Sequence, residues 1–427
     1  EYLMHSHKLD NYLISWYNCL PERSTYMKIC ELTIQAFTEY AKNSPLRNYM
    51  QTEEYARLMG EEKYNYDYIG LVDDDNVIRA VSLILWKRIG FNTRYGYAPK
   101  GFLINYYDES LLRTFVDELK KYYAKKNMIF IKINPEIVVA EIDNKTFVMD
   151  DNPNMKLKQD LQDFGFIKLK DNLYFESINP RFNAYVDLKN SKLQNYSKAN
   201  RNKVRNSRRK GLYIEKGTMQ DLESYYKLEK RTEHFSHYRN LFTIFGDKLD
   251  LILVKVNYEN FIKNSQSLYE EEADRNSLYN EIIHRSKKES DLHRKMASDS
   301  KLMTIKNEIV TATEGLRDED NCIVAGALVI KYDNRVHVVE SSFERNHPLL
   351  NANYFLYDSL IQNYKMDYDF IDLNGVCGDF KNSNAYKGLN NFKLGFDAKI
   401  FEYIGEFDLV FDRPGYELLN ATGKLAN

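Results

Sequence analysis

The 427-residue sequence has few cysteines, few prolines and no excess of either charge. Its four cysteines, at positions 19, 30, 322 and 377, never fall at CxxC spacing. That excludes a cysteine zinc cluster and a disulfide framework, and points to a reducing compartment. Sixty basic residues face 62 acidic ones, for a net charge of −2. A uniformly basic nucleic-acid binder is excluded, but a local basic patch is not. No apolar run approaches the ~18 residues that span a bilayer. The longest, such as Val81 to Trp86, have strand length, and no secretory signal is visible. GxSxG, P-loop and GxGxxG patterns are absent, which removes the standard serine hydrolase and NTPase signatures. What is there is a soluble composition, 43% hydrophobic and 29% charged, with a core to bury. At roughly 150 residues per domain the length suits two or three domains.

Hydrophobic periodicity gives an order of elements. Tyr68 to Val72 and Val77 to Trp86 read as strands around the turn Asp73 to Asn76. Tyr95 to Ile104 is a loop or short strand. Leu111, Phe115, Leu119 and Tyr122 stripe a helix, and Met128 to Ile133 is a buried strand. The same order returns later. Cys322 to Lys331 and Arg335 to Phe343 pair around Asp333-Asn334. Leu350, Tyr354, Tyr357, Ile361 and Tyr364 stripe a helix, and Tyr368 to Leu373 is a strand. This internal repeat is one of topology, not of residues. Small acyltransferases of the GNAT type have this order, so the expected fold class is α/β (α+β), with two tandem GNAT-like subdomains. Two copies would leave a cleft for substrates.

Between the halves lies an insertion. From Asp247 to Glu314 there is no glycine and no proline. Tyr258 to Lys306 is nearly all polar, with sparse apolar residues at Phe261, Leu268, Leu278, Ile282, Leu292, Met296 and Ile305. This profile predicts two long helices packed on those residues as a thin seam, with a tip near Ser286 to Ser290. Such an arm is either a solvated hairpin or a reach toward a large partner such as RNA.

The densest basic run, Lys198 to Lys210, carries seven cations and no acid, with Gly211 after it as a helix cap. Arg201, Lys203, Arg205, Arg208 and Arg209 are its candidates for binding phosphate by charge. His234 and His237 have the spacing of a metal pair, but no third ligand accompanies them, so no metal is expected.

Near the C-terminus come Asp372-Leu-Asn-Gly375-Val-Cys-Gly378, then Phe392-Lys393-Leu-Gly395-Phe396, then Glu402-Tyr-Ile-Gly405. This succession resembles the Fem family of peptidoglycan interpeptide-bridge aminoacyltransferases: a strand ending in G-x-x-G, then F-K-x-G-F/Y, then E-Y-x-G. Gln51-Thr52 resembles the family's opening segment, and Tyr97-Ala-Pro-Lys100-Gly101 its Y-x-x-R-G-P loop. The basic run resembles the helix that opens its second half, and the segment around Arg239 its aromatic and arginine stretch. The insertion resembles the arm that some members carry, which is compared to the tRNA-binding arm of seryl-tRNA synthetase.

The resemblance implies transfer of an amino acid from aminoacyl-tRNA to the stem-peptide amine of lipid II or a UDP-MurNAc-pentapeptide-type precursor, with no cofactor. It also implies a cytoplasmic enzyme in peripheral contact with the inner membrane face. The catalytic expectation falls on Lys393 and Phe392, an ammonium beside an aromatic wall. Arg239 with Tyr238 is the expected contact to the precursor's phosphates. Tyr97 and Lys100 complete the substrate-binding set.

The chain departs from the family's pattern in two places. Lys100, Phe102 and Asn105 stand where arginine, proline and aspartate are usual, so a base supplied by the substrate is the easier reading. Met59 stands where several members have a lysine, with Arg57 and Lys63 nearby. The expected domains are an unassigned extension at 1–28, a first subdomain at 29–185, a second at 186–257 and 308–427, and the arm at 258–307. Two other readings compete. An acetyl-CoA-dependent N-acetyltransferase needs a Q/R-x-x-G-x-G/A loop before Leu111 or Leu350, where none stands. A non-enzymatic RNA-binding coiled-coil protein would not need the Phe392-Lys393 segment.

Overall fold

The computed structural model describes residues 26–90, 92–143, 153–229, 233–286, 288–318, 321–345 and 348–422. Most of the extension at 1–28 lies outside them. The described residues form two units: 26–141, 153–181 and 401–422 make the first, and 182–400 lie in the second.

In the first unit the strands run Met27–Glu31, Asn65–Asp73, Ile78–Ile89, Thr93–Ala98, Met128–Ile133, Phe407–Val410, Phe166–Lys168. The first four strands form an antiparallel meander. Thr93–Ala98 then pairs in parallel with Met128–Ile133, because helix Glu109–Ala124 carries the chain back across the sheet. Asp108 caps that helix by accepting from the Leu111 amide. Leu112, Phe115, Val116, Leu119 and Tyr123 of the helix are buried against the sheet. Each such side chain contributes about 1.5–3 kcal/mol by burial.

One boundary differs from expectation. The C-terminal segment, assigned by sequence to the second half, belongs to the first unit. Strand Phe407–Val410 fits between Met128–Ile133 and Phe166–Lys168, antiparallel to both. Its alternation does not reveal which sheet it joins.

In the second unit the strands run Phe182–Asp187, Phe370–Gly375, Arg335–Phe343, Ile323–Tyr332, Leu249–Val256, Leu212–Gly217. Helix Ala352–Tyr364 makes the crossover here, and Arg335–Phe343 pairs with Phe370–Gly375 in parallel. The expected repeat is therefore present in both units. The parallel pairing covers only Arg335 to His337 against Phe370 to Asp372. The two strands have no further paired residues.

The arm is a pair of helices, Tyr258–Arg285 and Glu289–Asp318, so its second helix runs past the expected end at 307. Its turn falls in the expected place. Its seam does not. Leu278, Ile282, Leu292 and Met296 are exposed, at 59%, 41%, 50% and 60%. The buried positions include Phe261, Ser265, Glu272, Asn276, Ser298 and Ile305. Hydrogen bonding explains the exchange. Glu272 accepts from Ser298 Oγ at 2.6 Å, Lys301 Nζ at 2.6 Å and Arg275 Nη1 at 2.9 Å. Asn276 Nδ2 donates to Ser298 Oγ and Asp299 Oδ1, at 3.1 and 2.9 Å. Burial opposes ionisation of Glu272, but the Lys301 and Ser298 hydrogen bonds outweigh it and hold the carboxyl below its ordinary range.

Candidate functional site

A buried polar cluster in the second unit surrounds the end of strand Phe370–Gly375. Asp372 is 7% exposed, and its carboxylate accepts from Asn183 Nδ2 (3.2 Å to each oxygen) and from the Asn374 amide at 2.8 Å. His337 Nδ1 lies 3.3 Å from Asp372 Oδ2. The pair His337 and Asp372 is the last one in the parallel register. Asn374, with φ +68°, turns the chain left-handed, and its side chain accepts from the Gly375 amide at 2.6 Å. The Asp372 side chain accepting from the amide two residues on is the local chemistry of an Asx turn.

The Gly375 carbonyl accepts from Lys393 Nζ at 2.7 Å. Lys393 sits in the last turn of helix Lys387–Leu394 and is 7% exposed. Burial brings its ammonium down to about 8, although the nearby Asp372 carboxylate works in the other direction. Asn390 of the same helix donates to the Cys377 carbonyl and accepts from its amide, at 2.8 and 2.9 Å, so the 375–378 turn and the helix form one piece.

Phe392 is half-buried, and its ring meets Tyr354, Tyr357 and Phe396 with centroids 4.9, 4.8 and 5.3 Å away. Tyr357 donates to or accepts from Ser341 Oγ at 2.9 Å, and burial raises its hydroxyl. Lys393 follows Phe392 in this helix, and its own polar contact is the Gly375 carbonyl.

The basic run forms helix Lys198–Ser207, capped by Ser197 and anchored to this site through Asn200, whose Nδ2 donates to the Phe392 carbonyl at 2.8 Å. Gly395 makes room for that contact, since a Cβ there would lie 2.4 Å from the Asn200 amide. The five candidate cations divide. Lys203 donates to the Tyr354 hydroxyl at 3.0 Å and stands over its ring. Arg208 pairs with buried Asp358 at 2.7 Å, and Arg201 donates to the Gln194 carbonyl at 2.9 Å. Arg205 and Arg209 are exposed. Gly211 ends the run at φ +65°, where a Cβ would meet the Asn257 carbonyl at 2.2 Å. Arg239 is exposed on helix Phe235–Phe245, while Tyr238 beside it is 2% exposed and packs edge-on against Tyr226.

The first unit holds Tyr97 and Lys100. Tyr97 hydroxyl donates to Asn134 Oδ1 at 3.2 Å and accepts from Asn179 Nδ2 at 2.5 Å. The Lys100 amide reaches the same Asn134 oxygen at 2.9 Å, and its ammonium stands 4.7 Å from the Tyr403 ring centre. Gln51 is fully buried. It donates to the Pro99 and Leu83 carbonyls and accepts from the Leu83 amide, so it fixes the loop that carries Lys100. Lys100, Asn134, Asp171, Arg181, Tyr403 and Glu406 line a small cleft. Arg181 pairs with Glu402 there, and burial raises the Glu406 carboxyl. Met59 packs against the apolar cluster that includes Phe37 and Val81, while Arg57 and Lys63 are exposed.

Sequence reasoning missed Asp372, His337, Asn183, Asn134 and Asn179. Asp372 stood inside the quoted motif, but its partners lie 35 and 189 positions away. Among the described residues no group of three His, Cys, Asp or Glu side chains could hold a metal ion, and no helix is long and apolar enough to cross a membrane.

A family profile described as FemAB family matches residues 32–424. The aminoacyltransferase FemA of Staphylococcus epidermidis is 22% identical over 423 residues, covering 93% of this chain and 100% of the relative. The aminoacyltransferase FemA of Staphylococcus aureus is 22% identical over 421 residues, covering 93% and 99%. A crystal structure of FemX matches with a TM-score of 0.70 at 19% identity, over 92% of this chain and 99% of that one.

Proposed function

We propose a specific reaction for this chain, which belongs to the FemAB family and is an aminoacyltransferase. The donor is an aminoacyl-tRNA, and the acceptor is the stem-peptide amine of lipid II or of a UDP-MurNAc-pentapeptide-type precursor. The enzyme works at the cytoplasmic face of the membrane.

The single observation that carries this reading is the Lys393 ammonium, buried and pinned to the Gly375 carbonyl. In ester aminolysis the amine nitrogen attacks the aminoacyl carbonyl carbon, and the carbonyl oxygen takes the negative charge. The ester C–O bond then breaks, an amide C–N bond remains, and the proton lost by the amine ends on the ribose oxygen. Lys393 offsets the oxyanion charge in a place that water reaches poorly, where a fixed cation acts most strongly. Phe392 limits water at that carbonyl. Arg239 contacts the precursor's phosphates, and Tyr97 and Lys100 hold the acceptor's peptide end. Arg205 and Arg209, two exposed cations of the basic run, meet tRNA phosphates. No side chain is assigned as the base, and the substrates supply it.

The test is incubation of the purified chain with glycyl-, alanyl-, seryl- or threonyl-tRNA and lipid II, followed by mass measurement of the product. A mass increase of one or more of these residues supports the reading. No increase with any of the four, from either lipid II or the soluble nucleotide precursor, removes it.

A further inference from the structure

The Lys393 ammonium donates to the Gly375 carbonyl, and that carbonyl is placed by a turn. The turn is organised from within the sheet. Asp372 accepts from the Asn374 amide, and Asn374 accepts from the Gly375 amide. Two further elements hold the Asp372 carboxylate in place: Asn183 from strand Phe182–Asp187 and His337 from strand Arg335–Phe343. A buried carboxylate with this many partners is costly to build, and the strand pairing does not require it. It stands where the parallel pairing of Arg335–Phe343 with Phe370–Gly375 ends.

We infer that Asp372, held by His337 and Asn183, is a positioning residue for the transfer reaction: it folds the Asn374–Gly375 turn that receives Lys393. This rests on the reading of Lys393 as the cation at the reacting ester.

Two separate effects follow. The geometric one runs through hydrogen bonds, from carboxylate to Asn374 amide to Gly375 carbonyl to Nζ. The electrostatic one runs through space. The titratable groups that face Asp372 are His337 from strand Arg335–Phe343, Tyr357 from helix Ala352–Tyr364 and Lys393 from helix Lys387–Leu394. Of these, Lys393 loses most by burial, which brings it down to about 8, with Asp372 opposing the fall. Without that carboxylate the ammonium would lose its proton at lower pH. The enzyme would then lose its cation inside the range where the acceptor amine is becoming a better nucleophile.

The experiment measures kcat and KM against pH for the full chain, with lipid II and whichever charged tRNA the product assay selects. Wild type should lose kcat as pH rises through about 8. Asp372→Asn keeps the shape and removes the charge. It should lower kcat at least tenfold at pH 8, leave KM for both substrates within about threefold, and move the alkaline limb down by about one pH unit or more. In a Lys393→Ala background, Asp372→Asn should change kcat less than twofold, since it acts through the missing ammonium. Asp372→Glu keeps the charge and displaces it, so it should keep the alkaline limb and lose kcat. It also serves if the asparagine variant fails to fold. An unmoved limb in folded Asp372→Asn, additive losses in the double variant, or wild-type kcat in Asp372→Glu overturns the inference while Lys393 keeps its role. Wild-type kcat in Lys393→Ala overturns both readings together.

Discussion

Replacing Lys393 with Met should stop turnover and leave the protein as stable as before or more so. The two signs together separate a catalytic lysine from a structural one. Burial takes the ammonium from its ordinary 10.5 to about 8. At about 1.4 kcal/mol per unit, holding it charged below pH 8 costs the fold about 3 kcal/mol. Met fills similar space with no charge to bury, but it leaves the Gly375 carbonyl without its donor, a loss of about 1–3 kcal/mol. The net change is between neutral and about 2 kcal/mol of stabilisation at pH 7, and at about 2–4 °C per kcal/mol the melting point should stay or rise. The sign of the pH dependence follows from the direction of the shift. Between pH 8 and 10.5 the unfolded chain binds this proton and the folded chain does not, so wild-type stability rises with pH there. The Met variant lacks that rise, and its advantage should shrink toward pH 10. Activity moves oppositely: loss of oxyanion stabilisation worth about 2.7–4 kcal/mol lowers kcat about a hundred- to a thousandfold. Calorimetry at several pH values and single-turnover transfer assays read the two effects. A folded Met variant with near wild-type turnover, or one that melts far below wild type at pH 7, would refute the reasoning.

Arg239→Ala should raise KM for the lipid precursor roughly ten- to a hundredfold, through loss of a contact of about 1.5–3 kcal/mol, and leave KM for aminoacyl-tRNA nearly unchanged; equal losses for both would mark a folding role. Excision of the arm between Asn257 and Asn321 should leave the body folded, because strands Leu249–Val256 and Ile323–Tyr332 already pair as neighbours there. Filter-binding titrations across salt should then show weaker tRNA affinity and a shallower salt dependence, and unchanged values would leave the arm without a role in tRNA binding. Glu272→Ala should lower hydrogen-exchange protection in the arm by about 1–3 kcal/mol while the two sheets keep theirs, since Lys301, Ser298 and Arg275 lose their shared acceptor.

The repeat was legible in the sequence because its elements carry their own periods. Leu111, Phe115 and Leu119 recur at helical spacing, and Met128 to Ile133 is a short apolar run with turn residues behind it. The arm was legible for a different reason, the absence of glycine and proline over two helix lengths. Its seam was not. Hydropathy ranks Leu278 and Met296 above Glu272 and Asn276, and it has no term for a carboxylate that three donors satisfy. Buried polar groups across a two-helix seam can fix register where apolar ones would slide, at some cost in stability. The exposed leucines and methionines are the complement of that choice.

The site divides along the same line. Lys393 was singled out because it follows Phe392 in a recognisable segment, and the helix carries its ammonium to the Gly375 carbonyl. Asp372 was quoted in the same motif and given no role, because the residues that make it significant arrive from other strands. His337 becomes its neighbour only when a helix crossover lays two strands parallel, and Asn183 only when Phe182–Asp187 joins the far side. A parallel pairing leaves no local mark in a sequence, since the connection is long and either strand is apolar in its own right. The Tyr97 loop repeats the pattern. Lys100 was legible, but Asn134, which holds both Tyr97 and the Lys100 amide, is supplied by the chain just after the parallel strand Met128–Ile133. In both units the candidate substrate-facing group sits in a short motif, and the residue that aims it sits where the crossover strand ends. Motif reading finds the first kind of residue, and only the folded sheet reveals the second.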